Sequence, residues 1–181
     1  SAGGKMCDGN GNRFSTLNAI KAAIAASPGG KIVLGIPTKS VVVTVADAQK
    51  VLDYLPGGGK SAKFKHYGSL SIGTTTGNPN FRTLYTSANS KNRYKINTTL
   101  LAQTLTLALN MGFSNNLAGF VLEGNKYLVT ANVSSCGSNT MVPCSYTNTW
   151  IRGDVVAKLG NNKTVGGLLD LANKALGGIN V

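Results

Sequence analysis

The sequence predicts an α+β domain: a small antiparallel sheet with three or four packed helices and a long basic loop. Three features of the chain lead to that expectation. Two β-branched runs, Lys31 to Ile36 and Ser40 to Val45, lie close together around Pro37-Thr38-Lys39. Apolar stripes at helical spacing stand before and after them. Gly124-Asn125, between Ala118–Glu123 and Lys126–Val133, is a two-residue hairpin signal.

Taken from the start, residues 1–14 are rich in Gly and Asn and read as an irregular N-terminal arm. A single α+β domain is expected over 15–181. Leu17, Ile20 and Ile24 form one stripe of a helix over Thr16 to Ser27, with Ser15 as its cap and Pro28-Gly29-Gly30 as its stop. The two β-branched runs follow, as two strands or one bent strand. Thr44 or Asp47 then caps a helix bearing Val45, Ala48, Val51, Leu52 and Leu55, ended by Pro56-Gly57-Gly58-Gly59.

Apolar periodicity is sparse from Lys60 to Lys95. A structureless stretch of that length is unusual in a compact domain, so hidden short strands or a functional excursion are expected. Asn97 to Met111 reads either way. Leu100, Leu101, Leu105, Ala108 and Met111 fit a helix capped by Asn97 or Thr98, whereas Thr104 to Asn110 alternates as a strand does; a largely buried helix is favoured. The last helix runs from Thr164 to Leu176, with Val165, Leu168, Leu169, Ala172 and Leu176 toward the core and Gly177-Gly178 closing it. Its spacing from Thr to paired Gly repeats that of Thr44-Val45 and Gly57-Gly58, which reads as shared capping and not as duplication.

Composition narrows the function classes. Charged residues make up 13% of the 181-residue chain, against a usual share of about 25%. Asn, Thr, Ser and Gly fill the gap, a texture of extracellular β-rich modules. The remaining charge is one-sided: 18 Lys and Arg against 6 Asp and Glu, a net +12. That excess concentrates polyanions such as nucleic acid or acidic polysaccharide, or it serves solubility alone. No apolar run reaches the ~18 residues of a membrane span. The chain opens on Ser1-Ala2-Gly3-Gly4-Lys5 without an apolar stretch, so no signal peptide is expected in it; Ser1-Ala2 suits a mature end left by signal peptidase.

A catalytic set is hard to assemble from one His (His66), one Glu (Glu123) and five Asp (Asp8, Asp47, Asp53, Asp154, Asp170). Asp47, Asp53 and Asp170 fall on short helices and read as solvated. The expectation is a protein that is not an enzyme and holds no cofactor and no metal. Asp8-Gly9-Asn10-Gly11-Asn12 begins like a calcium loop, but Arg13 and Ala19 stand where an EF-hand needs Gly and Glu. Arg152-Gly153-Asp154 is the tripeptide integrins recognise, yet it abuts Trp150-Ile151 and Val155-Val156, which read as half buried. Asn97-Thr98-Thr99, Asn132-Val133-Ser134 and Asn162-Lys163-Thr164 are glycosylation sequons, which matter only in a eukaryotic source.

Cys7, Cys136 and Cys144 allow three pairings, each leaving one thiol over. Cys136 and Cys144 flank the turn-rich Gly137 to Pro143, so a disulfide between these two is expected if the chain is exported; three reduced thiols are the alternative.

The most informative segment is the basic aromatic insertion, 60–95. It carries Lys60, Lys63, Lys65, His66, Arg82, Lys91, Arg93 and Lys95 with no acidic residue, interleaved with Phe64, Tyr67, Phe81, Tyr85 and Tyr94. Bases between aromatics suit a polyanion whose rings stack. The candidate polyanion ligands are Lys60, Lys63, Lys65, His66, Tyr67, Arg82, Tyr85, Lys91, Arg93, Tyr94 and Lys95. The plainer alternative packs the aromatics on the core and leaves the lysines solvated.

An ordered set of motifs resembles a module of secreted cell-surface proteins of Bacteroidota. It comprises Leu34-Gly35-Ile36-Pro37 with Ser40-Val41-Val42-Val43, Ala46-Asp47-Ala48, and Tyr54-Leu55-Pro56-Gly57-Gly58-Gly59. It continues with Leu101 to Asn110 and closes with Thr164 to Gly178, spanning about residues 30–180. The resemblance implies export and a place on the cell surface, and it carries over no functional residue. The function expected is a secreted structural or adhesive protein that self-associates, including as a subunit of an extracellular filament. The alternative is a polyanion-binding module built on 60–95.

Overall fold

The computed structural model describes residues 5–7, 13–74, 81–82, 95–114, 116–133 and 143–181, with the backbone alone for 5–7, 13, 81–82, 131–133 and 143–144. The α+β class holds. The N-terminal arm is not irregular where it is described: β1 (Lys5–Cys7) pairs antiparallel with β2 (Arg13–Ser15). Ser15 then caps α1 (Thr16–Ala26), its hydroxyl accepting from the Asn18 amide at 3.2 Å. Ala19, Ile20, Ala23 and Ile24 form the buried stripe of this helix, as its apolar spacing requires.

β3 (Lys31–Ile36) and β4 (Lys39–Thr44) are two strands joined by a tight turn at Pro37-Thr38 and paired antiparallel. Ile32, Leu34, Val41 and Val43 point to the core, and alternate residues point away. Thr44 and Asp47 form a capping box: the Asp47 carboxylate accepts from the Thr44 amide at 3.0 Å and its hydroxyl at 2.7 Å. Asp47 is therefore buried, not solvated as expected, because two donors satisfy it there. α2 (Ala48–Tyr54) follows and returns the chain toward the start of β4.

That return makes the central sheet mixed. β5 (Gly68–Ser71) lies parallel to β4, giving the order β3-β4-β5. A helical crossover carries the chain back to the end at which β4 began, so the next strand must run parallel. Residues 60–74 are accordingly part of the body and not a loop excursion. Two short strands, β6 (Phe81–Arg82) and β7 (Lys95–Ile96), pair antiparallel further on.

The ambiguous Leu-rich segment is a helix, α3 (Thr99–Phe113), burying Leu101, Ala102, Thr104, Leu105, Ala108 and Leu109. Its polar alternation is absorbed within the helix, where the Thr104 and Thr106 hydroxyls donate to Leu100 and Ala102 carbonyls four residues back. Gly112 lets α3 cross α1 closely, since a Cβ there would meet the Ala23 carbonyl.

The expected hairpin across Gly124-Asn125 does not form. β8 (Lys126–Val133) pairs instead with β9 (Pro143–Ile151), while Val121 makes a single bridge to Thr164. The turn chemistry is used differently. Asn125 takes a positive φ of 59°, its amide donates to the Ile151 carbonyl at 2.7 Å, and its side-chain oxygen accepts from Gly153 at 3.1 Å. This fastens the base of the ribbon to α4 (Gly153–Ala157). α5 (Val165–Gly177) completes the helices, capped by the Thr164 hydroxyl and ended by Gly178 in the left-handed region.

Phe64, 1% exposed, lies at the centre of the core. Its ring fills the space beside Gly35, where a Cβ would strike it. Phe64→Ala is expected to lower stability by about 3–5 kcal/mol, whereas Tyr67→Ala stays within about 0.5 kcal/mol. Urea unfolding of the two variants measures the difference; equal losses would show that residues 60–67 do not pack as described.

Candidate functional site

Residues 59–68 form a strap across the ends of α3 and α5. Thr99 donates to the Gly59 carbonyl at 2.6 Å, and the Thr98 hydroxyl both accepts from and donates to Ala62. The Phe64 amide donates to the Leu176 carbonyl at 2.7 Å, and that of Gly68 to Thr38 at 2.8 Å. Its side chains alternate in burial, with Phe64 buried and His66 half-buried between exposed neighbours. Phe64 and His66 turn inward with ring centroids 5.0 Å apart, and His66 Nε2 hydrogen-bonds the Ser40 carbonyl at 2.9 Å. Lys63, Lys65 and Tyr67 face solvent on the other side. Tyr67 is 81% exposed, and Lys39 Nζ stands 4.4 Å from its ring centroid.

This arrangement divides the expected polyanion ligands. Lys60, Lys63, Lys65 and Tyr67 are exposed. His66 is partly buried and holds the sheet. Lys95 is occupied: its ammonium donates to the Asp53 carbonyl and, at 2.9 Å, to that of Leu55. These are carbonyls at the C-terminal end of α2, where a cation is favoured by the helix dipole. Arg82 pairs with Lys95 through the β6–β7 backbone. Tyr85, Lys91, Arg93 and Tyr94 lie outside the described residues, as do Cys136 and the stretch Asp8 to Asn12. Cys144 is placed on β9 by its backbone alone, so the expected Cys136–Cys144 pairing also falls outside what is described. Lys39, half-buried, joins this set although sequence reasoning missed it; only the parallel pairing of Lys39 with Gly68 brings it beside Tyr67.

Two further surfaces stand out. The first is the outer edge of β3. The sheet order leaves β3 at the edge, and Gly35 shows the direction of its free groups by donating to Asn173 Oδ1 at 2.9 Å. Lys31 and Val33, in phase with Gly35, point their backbone groups outward and carry no such bond among the described residues. Beside them opens a groove of 440 Å³ lined by Pro28, Ile32, Val33, Ala108, Met111 and Leu169. The second is the β8–β9 ribbon, with Tyr127 (63%), Val129 (56%), Tyr146 (64%) and Trp150 (49%) exposed.

The Arg152-Gly153-Asp154 tripeptide is closed on itself. Arg152 grips Asp154 through two bonds, at 3.0 and 2.5 Å. The hydrogen bond from Arg152 holds the Asp154 carboxyl below the usual range, and the same contact raises Arg152. Trp150 and Val155, expected to be half buried, are exposed, while Val156 is buried. Among the described residues no cluster of three or more His, Cys, Asp or Glu is poised to hold a metal ion, and no helix is long and apolar enough to cross a membrane.

Comparison of the chain with protein-family models, curated proteins and solved structures returns no match.

The two kinds of lysine are separable by stability. Lys95→Gln is expected to lower unfolding free energy by about 1–2 kcal/mol, because it uncaps α2. Lys60→Gln is expected to change it by less than about 0.5 kcal/mol. Denaturant titration distinguishes them, and indifference to both substitutions would show that Lys95 does not cap α2.

Proposed function

We propose that this chain is a secreted cell-surface protein of structural or adhesive role that self-associates into an extracellular filament. The reading is carried by the open edge of β3. An edge strand with unpaired outward groups is a template for an added strand, and the groove beside it accepts the side chains that such a strand turns inward. The exposed Ile179 and Val181, two residues apart and separated by Asn180, have the alternation a donor strand needs. Donation from one copy to the next is head-to-tail and so builds a ring or a filament. The resemblance to exported surface modules and the low charge density support the same placement.

Val33→Lys is expected to leave the fold intact, since Val33 is exposed on an edge, and to abolish assembly by charging the groove. Sedimentation velocity and negative-stain microscopy of both proteins read the outcome. A wild-type protein that sediments as a monomer at every concentration, or a variant that still polymerises, overturns the reading.

A second reading is favoured by the strap: a polyanion-binding surface of Lys39, Lys63, Lys65 and Tyr67, with Lys60 nearby in sequence. Lys63, Lys65 and the ring are exposed, Lys39 lies half-buried beside the ring, and no acid lies within 60–95. Lys63→Gln with Lys65→Gln is expected to weaken binding to heparin or single-stranded nucleic acid. It should also flatten the salt dependence by about one unit of log–log slope per lysine. Tyr67→Ala is expected to weaken binding without changing that slope. Unaltered retention of the double variant on a heparin column assigns the charge to solubility.

A further inference from the structure

We infer that the β8–β9 ribbon is a binding platform for an uncharged polysaccharide chain. Register decides which side chains share its face. Tyr127 pairs with Trp150, Val129 with Asn148, and Ala131 with Tyr146, so with alternation the row Trp150, Asn148, Tyr146 runs along β9 beside Tyr127 and Val129. Tyr127 and Trp150 meet edge to face with centroids 4.9 Å apart, which holds both rings in place. The opposite face carries Thr130, Thr147 and Thr149.

A two-stranded ribbon exposed on both faces is marginal in water on its own, and exposed aromatics gathered on one face signal a binding surface. The chemistry of the row indicates what binds. Aromatic faces carry negative π density, which attracts the polarised C–H groups that a pyranose presents on its flat side. Between the rings, the Asn148 amide supplies both a donor and acceptors for sugar hydroxyls. Trp150 and Tyr146, four residues apart, are separated by about 13 Å along the strand, a distance spanned by a chain of sugars and not by one ring.

Charge and extent exclude the other occupants. The face from Tyr127 to Tyr146 carries no acidic or basic residue, and the nearest ion pair, Lys126 with Glu123, is self-neutralised. On a protein of net charge +12, such a face gives a polyanion nothing to pair with. The face presents few side chains, chiefly Tyr127, Val129, Tyr146, Asn148 and Trp150, against the roughly 20–30 residues a side of a stable protein interface. A glycan chain is narrow enough to be held by such a face. This assignment is independent of self-association at β3 and of the basic strap.

The test is retention of the full chain on insoluble cellulose and chitin, and its mobility in gels containing soluble β-glucan, at about 1 M NaCl. There the screening length is ~3 Å and attraction to polyanions is suppressed. Binding to at least one of these polymers is expected, with affinity falling roughly tenfold for Trp150→Ala and again for Tyr146→Ala. Tyr146→Phe is expected to keep most of the affinity, and Thr149→Ala on the opposite face all of it. Circular dichroism reports whether Trp150→Ala keeps its fold; the Tyr146 pair decides the matter if it does not. Absence of binding to every polymer, equal binding by Tyr146→Ala and wild type, or a ribbon occupied by a protein partner in a cross-linked complex would each overturn the assignment.

Discussion

Phe64 sits where three parts of the chain converge, and much of the architecture depends on its burial. Its ring packs beside Gly35 of β3, its amide bonds the Leu176 carbonyl at the end of α5, and His66 two residues on reaches the Ser40 carbonyl of β4. One apolar side chain thereby draws the strap onto the sheet and the last helix onto the strap. Gly35 is required at that place, with a φ of 100° and no room for a Cβ against either Phe64 or the Lys39 carbonyl. Phe64 is pulled inward, and its neighbours Lys63 and Lys65 are left facing outward. The basic surface is a consequence of the core.

The molecule keeps three kinds of surface apart. Cations and an open tyrosine ring lie on the strap, backbone hydrogen-bonding groups beside an apolar groove lie on the β3 edge, and uncharged aromatics lie on the ribbon. The separation matters physically. A net charge of +12 acts through space at low salt and fades within about 10 Å at 0.1 M, whereas apolar and aromatic contacts act only on touching. Long-range charge and short-range contact therefore act at different places on the surface. Lys95, spent on the α2 carbonyls, shows that a basic residue in this segment is not by that fact a ligand.

Asn125 illustrates local chemistry serving a different end from the one its sequence context suggests. A Gly-Asn pair favours a left-handed turn, and Asn125 does adopt one. Yet the strand after the turn finds its partner beyond residue 142: β9 offers eight paired positions, interrupted between Asn132 and Val133, while Val121 bridges Thr164 instead. Turn geometry and strand partner are separate choices, and the second is made by the longer ladder.

The sequence by itself determined the elements whose signals are local. α1 and its Ser15 cap, the β3 and β4 runs, and α5 with Thr164 and Gly178 at its ends were legible because periodicity and capping act within a few residues. The exposed Lys60, Lys63, Lys65 and Tyr67 were legible in the same way, as an acid-free basic aromatic stretch. What only the tertiary structure decided rests on contacts distant in the chain. Gly68–Ser71 has no β-branched residue and reads as loop until β4 pairs with it. Lys39 reaches Tyr67 only through that pairing, and Lys95 is drawn onto carbonyls some forty positions earlier. The ribbon's aromatic row exists because register sets Tyr127 against Trp150 and Ala131 against Tyr146. Register is a relation between two strands, and neither strand's sequence contains it alone.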